Sequence, residues 1–190
     1  MPRLFTALEI PADIAAELRG LQQPLPGAKW IDAENYHLTL RFAGDIDNRL
    51  AREFSDNLAD FVADAFELRI TGLGAFGGND PKSVWAGVAA SPLLAALAKA
   101  HERAARNAGL PPGRHAFKPH VTLARLRYSS AEAVARYLNG FGGYRSEPFV
   151  ATRFVLMSSK PSTGGGPYVV EAEFPLSGAG YAFDDADAVW

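Results

Sequence analysis

Apolar positions recur along the chain in two rhythms, and the rhythm changes where proline and glycine interrupt it. Phe5 to Ile10 is a short apolar run that predicts a first strand. Pro11 opens a helix with Ile14, Leu18 and Leu21 at helical spacing, and Leu25-Pro-Gly breaks it. Tyr36 to Phe42 alternates, with Leu38, Leu40 and Phe42 on one face and His37, Thr39 and Arg41 on the other, the pattern of a half-buried strand. Asn48 to Val62 predicts a second helix, with Leu50, Phe54, Leu58, Phe61 and Val62 in phase. Phe66 to Phe76 is strand-like, ends at Gly77-Gly78-Asn79-Asp80-Pro81, and is followed by a strand over Val84 to Val88.

The second half repeats this order. Ser91-Pro92 opens a helix carrying Leu93, Leu94, Leu97 and Ala100, and Leu110-Pro-Pro-Gly ends it. His120 to Leu126 alternates again, Ser129 or Ser130 caps a helix through Leu138, and Gly140 to Gly143 close it. Phe149 to Met157 and Tyr168 to Leu176 predict strands around a glycine-rich loop, Pro161 to Pro167. The spacings match: His37 to Phe66 and His120 to Phe149 are both 29 residues, and His37 to Trp85 and His120 to Tyr168 are both 48. Two copies of helix, strand, helix and hairpin follow, with Phe5 to Ile10 as an extra strand. The expected fold is α+β: a duplicated two-lobe architecture with a pseudo-two-fold axis, a mostly antiparallel sheet flanked by helices in each lobe, and a cleft between lobes. Residues 1–178 are expected to form one bilobal domain, with repeats of roughly 1–88 and 89–178, and residues 179–190 a tail holding three Asp and a terminal Trp.

Composition narrows the chemistry. The 190 residues include no Cys, which excludes a disulfide framework, a thiolate nucleophile and a thiolate metal site. No apolar run approaches a membrane span, and Glu9 interrupts the first apolar stretch too early for a signal peptide, so a cytoplasmic protein is expected; it is taken to be a monomer. Net charge is −2, so an anionic substrate must be met by a local cluster. One exists: Arg103, Arg106, Arg114, Lys118, Arg125 and Arg127 lie between Arg103 and Ala131 with no acidic residue among them. Its alternative reading is a solvated helix-and-loop surface, and this suits Arg103 and Arg106 better.

Two tetrapeptides carry the chemistry, His37-Leu-Thr-Leu40 and His120-Val-Thr-Leu123. One alone is an ordinary polar strand face. Two at equivalent points of a duplicated fold bring His37, Thr39, His120 and Thr122 to one cleft, while Leu38, Leu40, Val121 and Leu123 face the lobe cores. A pair of imidazoles supplies a base and an acid near neutral pH, and threonine hydroxyls donate to oxygens. This is the set a phosphodiester needs: in-line attack, a protonated leaving oxygen and donors to the non-bridging oxygens, without a metal. Arg125, just beyond Thr122, is taken to continue the cleft-facing register; Arg41 is its counterpart after Thr39, unless it pairs with Asp45. Candidate base-stacking rings are Phe42, Phe76, Trp85, Phe117 and Tyr168, with alternation favouring the core for Phe42. His101 in mid-helix and His115 in a loop have structural readings.

With these motifs in view, the chain resembles the two-histidine phosphoesterases, specifically the bacterial and archaeal RNA 2′,3′-cyclic phosphodiesterases, historically named 2′-5′ RNA ligases. The likeness runs from about Arg3 to Leu176, through RLFTALEIP, NYHLTLRFAGD, GLGAFG, VWAGV and FKPHVTLAR. It implies that His37 and His120 are the acid and base and that Thr39 and Thr122 bind phosphate. It further implies hydrolysis of a cyclic phosphate to a 2′-phosphate, with His37 as acid to the 3′ oxygen and His120 as base for water. Spacing alone does not distinguish those two roles. The implied partners are RNA 3′ ends or small nucleotides carrying a 2′,3′-cyclic phosphate, with no cofactor, no metal and no membrane. The same machinery in reverse is a 2′-5′ ligase; a non-catalytic nucleotide-binding module is the alternative from another class.

Overall fold

The computed structural model describes residues 3–159 and 166–176. In chain order the elements are β1 (Arg3–Glu9), α1 (Ala12–Gly20), β2 (Ala28–Trp30), a 3₁₀ turn (Ala33–Asn35), β3 (His37–Asp45), α2 (Asn48–Ala59), β4 (Phe66–Leu68), β5 (Ile70–Phe76), β6 (Ser83–Val88), α3 (Pro92–Asn107), β7 (His120–Leu126), α4 (Ala131–Phe141), β8 (Phe149–Ala151), β9 (Arg153–Ser159) and β10 (Tyr168–Pro175). Local chemistry sets the helix starts. Asp47, Ser91 and Ser130 each accept a hydrogen bond from the backbone N–H three residues on, at 2.9, 3.3 and 3.1 Å. The helix expected to reach Val62 stops at Ala59, and Val62 is 80% exposed, so it is no core position. β2 was not expected; it is a three-residue strand directly after the Pro26-Gly27 break.

The main sheet is antiparallel throughout, in the order β10-β9-β1-β3-β7-β6-β5, with β2 also paired to β7; β4 and β8 form a separate two-stranded ladder. Two half-sheets, β9-β1-β3 and β7-β6-β5, meet at one pair, Leu38 opposite Val121. Reading the order outward from that junction corrects the phase of the repeat. β1 precedes α1 as β6 precedes α3, and each lies beside its histidine strand, so β1 is the counterpart of β6. The extra strand is β10, at the edge. Spacing counts could not reveal this, because a strand added at either end preserves every interval between the histidine motifs. The third strands are also exchanged: β5 completes the half-sheet of the second repeat and β9 that of the first.

The helices cover one face of the sheet. Leu38, Leu40, Val121 and Leu123 are 0–6% exposed there, in a cluster with Leu94 and Leu97 of α3 and Phe54 and Leu58 of α2. A second cluster holds Val134 and Tyr137 of α4 against Ala124 and Leu126. The opposite face of β1, β3 and β9 has a small cluster of its own, Phe5, Ala7, Val155 and Met157, with Tyr168 against it. That face holds the candidate site. The loop at 160–167 falls outside the described residues except for Gly166 and Pro167, as does the 179–190 tail entirely.

Candidate active site

The Leu38–Val121 pair decides what lies on the open face. Both side chains are fully buried among the helices, so their neighbours His37, Thr39, His120 and Thr122 point to the other side. All four are half-buried. Continuing the antiparallel register by one residue sets His37 across from Thr122 and His120 across from Thr39. The ladder between the two strands is confined to this one pair, so they part on either side and leave a gap lined by two imidazoles and two hydroxyls.

The imidazoles are held alike. Nδ1–H of His37 donates to the carbonyl of Asn35 at 2.8 Å, and Nδ1–H of His120 donates to the carbonyl of Lys118 at 2.6 Å. A carbonyl only accepts, so both rings are fixed in the tautomer that leaves Nε2 for chemistry. Aromatic rings wedge each imidazole. His37 lies 4.9 Å from Phe5 and meets Tyr168 edge-on at 4.9 Å; His120 meets Phe76 edge-on at 4.9 Å and lies 6.1 Å from Trp85. Trp85 fits because Gly74 lies opposite it: a Cβ there would strike the indole ring. Burial pushes the His37 pKa down to about 4, against the hydrogen bond to Asn35, and the charges of Arg125 and His120 lower it further. Burial likewise lowers that of His120, with Arg125 and Lys118 adding to the effect.

Strict alternation fails just past the motifs, for one reason in both strands. Ala7 lies opposite Thr39 but Thr6 opposite Arg41, leaving Leu40 as an extra residue; Trp85 lies opposite Thr122 but Val84 opposite Ala124, leaving Leu123 extra. These matching β-bulges exchange the faces of the side chains that follow directly, Arg41 and Phe42 in one strand and Ala124 and Arg125 in the other. Arg41 therefore does not enter the cleft as expected, nor does it pair with Asp45, which Arg3 takes at 3.5 Å. Arg41 pairs instead with Glu102 of α3 at 2.5 Å and donates to the carbonyl of Pro111 at 2.5 Å. Phe42 moves the opposite way. It is 50% exposed rather than buried, and its ring stacks on Phe5 at 6.3 Å and 16°. Arg125, three residues past Thr122, reaches the cleft face only because of the bulge, and its counterpart in the repeat is Phe42, not Arg41.

Tyr168 is brought against His37, and its backbone N–H donates to the side-chain oxygen of Asn35 at 3.3 Å. It is not the counterpart of Trp85, since β10 has no equivalent strand in the other half-sheet. Phe117 is 38% exposed on the loop leading into β7 and makes no ring contact among the described residues. His101 is fully buried, its Nδ1 at 2.8 Å from Thr6 Oγ1; His115 is exposed. Sequence reasoning missed Asn35 and Phe5. The signal for Asn35 was its place two residues before the histidine, matching Lys118. Phe5 carried none beyond membership of an apolar strand. Among the described residues no group of three or more His, Asp or Glu could hold a metal ion.

The profile of the LigT-like phosphoesterase family matches this chain twice, over residues 8–86 and 88–168. The chain belongs to that family. An RNA 2′,3′-cyclic phosphodiesterase of Aquifex aeolicus is 30% identical over 155 residues, covering 79% of this LigT-like chain and 82% of the relative. One from Aeropyrum pernix is 38% identical over 101 residues, 52% of the chain, and the match spans 57% of that relative's length. The crystal structure of Escherichia coli LigT complexed with 3′-AMP superposes with a TM-score of 0.76 at 25% identity, over 94% of this chain and all of that one. Each half of the family match contains one His-x-Thr motif of the LigT-like cleft.

Proposed function

We propose that this protein hydrolyses 2′,3′-cyclic phosphate ends of RNA to 2′-phosphomonoesters, with His37 and His120 as its acid–base pair. The observation that carries the reading is the matched pair of imidazoles, each clamped at Nδ1 by a backbone carbonyl and each offering Nε2 on one open face. The relatives named RNA 2′,3′-cyclic phosphodiesterase, and the one crystallised with 3′-AMP, support a nucleotide in this cleft.

The cyclic phosphate enters between the rings, and the hydroxyls of Thr39 and Thr122 donate to its non-bridging oxygens. Its negative charge favours the imidazolium form, offsetting the burial that lowers both pKa values, so one ring is protonated in the complex. Water attacks phosphorus as Nε2 of His120 takes its proton. The bond from phosphorus to O3′ breaks opposite, and Nε2–H of His37 delivers a proton to that oxygen. The role of acid falls to His37 because the half-exposed Phe42 ring, stacked on Phe5 and thus two ring contacts from His37, offers the nucleobase a platform on that side. The leaving O3′ belongs to the same nucleoside. On the His120 side the faces of Phe76 and Trp85 are covered by the Lys118 ammonium, at 5.2 and 4.5 Å.

The test uses a dinucleotide ending in a 2′,3′-cyclic phosphate, with chelator present. The expected product is the 2′-phosphate alone, and His37→Ala or His120→Ala lowers kcat/KM by roughly a thousandfold. Retention of activity in either variant, or formation of the 3′-phosphate, would overturn the assignment.

A further inference from the structure

Helix α3 turns two kinds of surface to solvent. Its first turns expose Leu93, at 56%, with Ala96; farther along it exposes Lys99, Arg103 and Arg106. Leu94, Leu97, His101 and Ala105 fill the opposite side, so the core makes no use of this outward stripe. The three cations line one hollow together with Glu102 and Asn107. Glu102 is already taken, by Arg41 and the Gly113 amide. None of the three cations forms an ion pair or a side-chain hydrogen bond among the described residues, although Asp56 and Asp60 are exposed on and next to the adjoining α2. Other cations on the surface have found acids: Arg3 with Asp45, Arg49 with Glu53, Arg153 with Glu9 and Glu173.

The chain carries the complement of this stripe. The description of the structure stops at Leu176, and the sequence beyond it reads Ser-Gly-Ala-Gly, then Tyr181-Ala-Phe183, then Asp184-Asp-Ala-Asp187. All its charged residues are acidic. Rings come first and carboxylates second, in the order in which α3 passes from Leu93 and Ala96 to Lys99, Arg103 and Arg106. The segment also starts beside α3. Leu176 belongs to the same core cluster as Leu94 and Leu97, and the Phe174 ring stacks at 4.9 Å on Phe154, which meets His101 of α3 at 4.4 Å. From Leu93 to Arg106 the helix rises about 20 Å, whereas residues 177–190 extend to about 45 Å. The edge of β10 offers no such match. It exposes Glu171 and Glu173, and like charges opposed across a ladder repel.

We propose that residues 181–187 bind along the outward stripe of α3 in the same molecule, with Tyr181 and Phe183 on Leu93 and Ala96 and the three Asp over Lys99, Arg103 and Arg106. Exposed ion pairs are individually weak, so a separate partner would need a larger surface than one helix stripe. A tethered segment needs much less, because the short spacer after Leu176 holds it at a roughly millimolar effective concentration. The hollow is no extension of the cleft. α3 lies on the helix-covered face of the sheet, and the imidazoles open on the other. The interaction therefore stands apart from the hydrolytic reading and does not depend on it.

The experiment measures chymotrypsin cleavage after Tyr181 in the full chain, each rate divided by that of a free peptide with the same 177–190 sequence. Cleavage follows the population of the unbound segment. At low salt the wild-type segment should be cut roughly tenfold more slowly than its peptide, and high salt should abolish the difference by screening the pairs. Lys99→Glu with Arg103→Glu should abolish it at low salt. So should Asp184→Lys with Asp187→Lys, which leaves the folded residues untouched. The four substitutions together should restore protection. Equal relative rates in the wild type and in either pair of variants, or no restoration in the fourfold variant, would overturn the proposal. Protection that rises with protein concentration would overturn it in favour of binding between two copies. An unprotected segment, with single-stranded RNA bound by the wild type and lost in Lys99→Glu with Arg103→Glu, would overturn it in favour of a nucleic-acid surface on α3.

Discussion

Arg125 acts on both imidazoles at once, which gives the site a testable pH signature. In the proposed mechanism the productive form of the pair carries one proton, and activity should be lost as pH rises through the upper of its two macroscopic pKa values. Burial and the Arg125 charge both disfavour the imidazolium, so the alkaline limb of kcat/KM should lie on the acid side of an ordinary histidine. Arg125→Gln removes a positive charge near both rings. Both pKa values should rise, and the alkaline limb should move to higher pH even as the rate falls. A limb that stays in place, or moves acidward, would show that Arg125 does not face the pair. Residue by residue, His37, Thr39, His120 and Thr122 were legible in the sequence because a four-residue motif occurs twice. Arg41 and Phe42 were not, since one extra residue in a bulge exchanges the faces they occupy and leaves no mark in an alternating pattern.

Among the elements, the loop from α3 into β7 sets the reach of His120, because it carries the Lys118 carbonyl that orients the ring. A latch holds it. Glu102 of α3 pairs with Arg41 at 2.5 Å and accepts the Gly113 backbone N–H at 3.1 Å, while Arg41 donates to the Pro111 carbonyl. The Arg41 side chain is 11% exposed and that of Glu102 34%, so the contact is partly sheltered from solvent. Glu102→Ala should release the loop: the Gly113 amide should lose its hydrogen-exchange protection while amides of β7 keep theirs. Turnover should fall severalfold with KM little changed, since the loss is of imidazole orientation and not of phosphate contacts. Unchanged protection at Gly113, or a rise in KM alone, would contradict the latch. The helices were readable from Asp47, Ser91 and Ser130, whose side chains announce their caps. β2 was hidden because three residues after Pro-Gly carry no period.

At the scale of the molecule, β5 and β9 are exchanged between the half-sheets, and β4 pairs with β8 across the repeats, so neither repeat completes a sheet alone. The cleft walls are therefore bound into one structure, and unfolding should be a single transition. Inside it lies His101, fully buried on α3 against Thr6, with Phe154 at 4.4 Å and Phe61 at 6.4 Å. Burial lowers its pKa to about 3, whereas in the unfolded chain it titrates near the usual 6.5. Between those values the unfolded state binds the extra proton. The contribution to stability is complete above pH 6.5 and is lost as pH falls towards 3, at about 1.4 kcal/mol per pH unit. His37, at about 4, has the same sign and overlaps the same window. From pH 6.5 to pH 5 the two together should remove roughly 3 kcal/mol, a large part of the stability of an ordinary domain. Urea unfolding across this range should show the midpoint falling steeply. His37→Ala, which removes one of these titrations and leaves those of His101 and His120, should flatten the slope. An identical slope in the variant would mean that His37 is no more buried in the folded protein than in the unfolded chain, and the tightly wedged imidazole on which the acid–base pair depends would be lost with it.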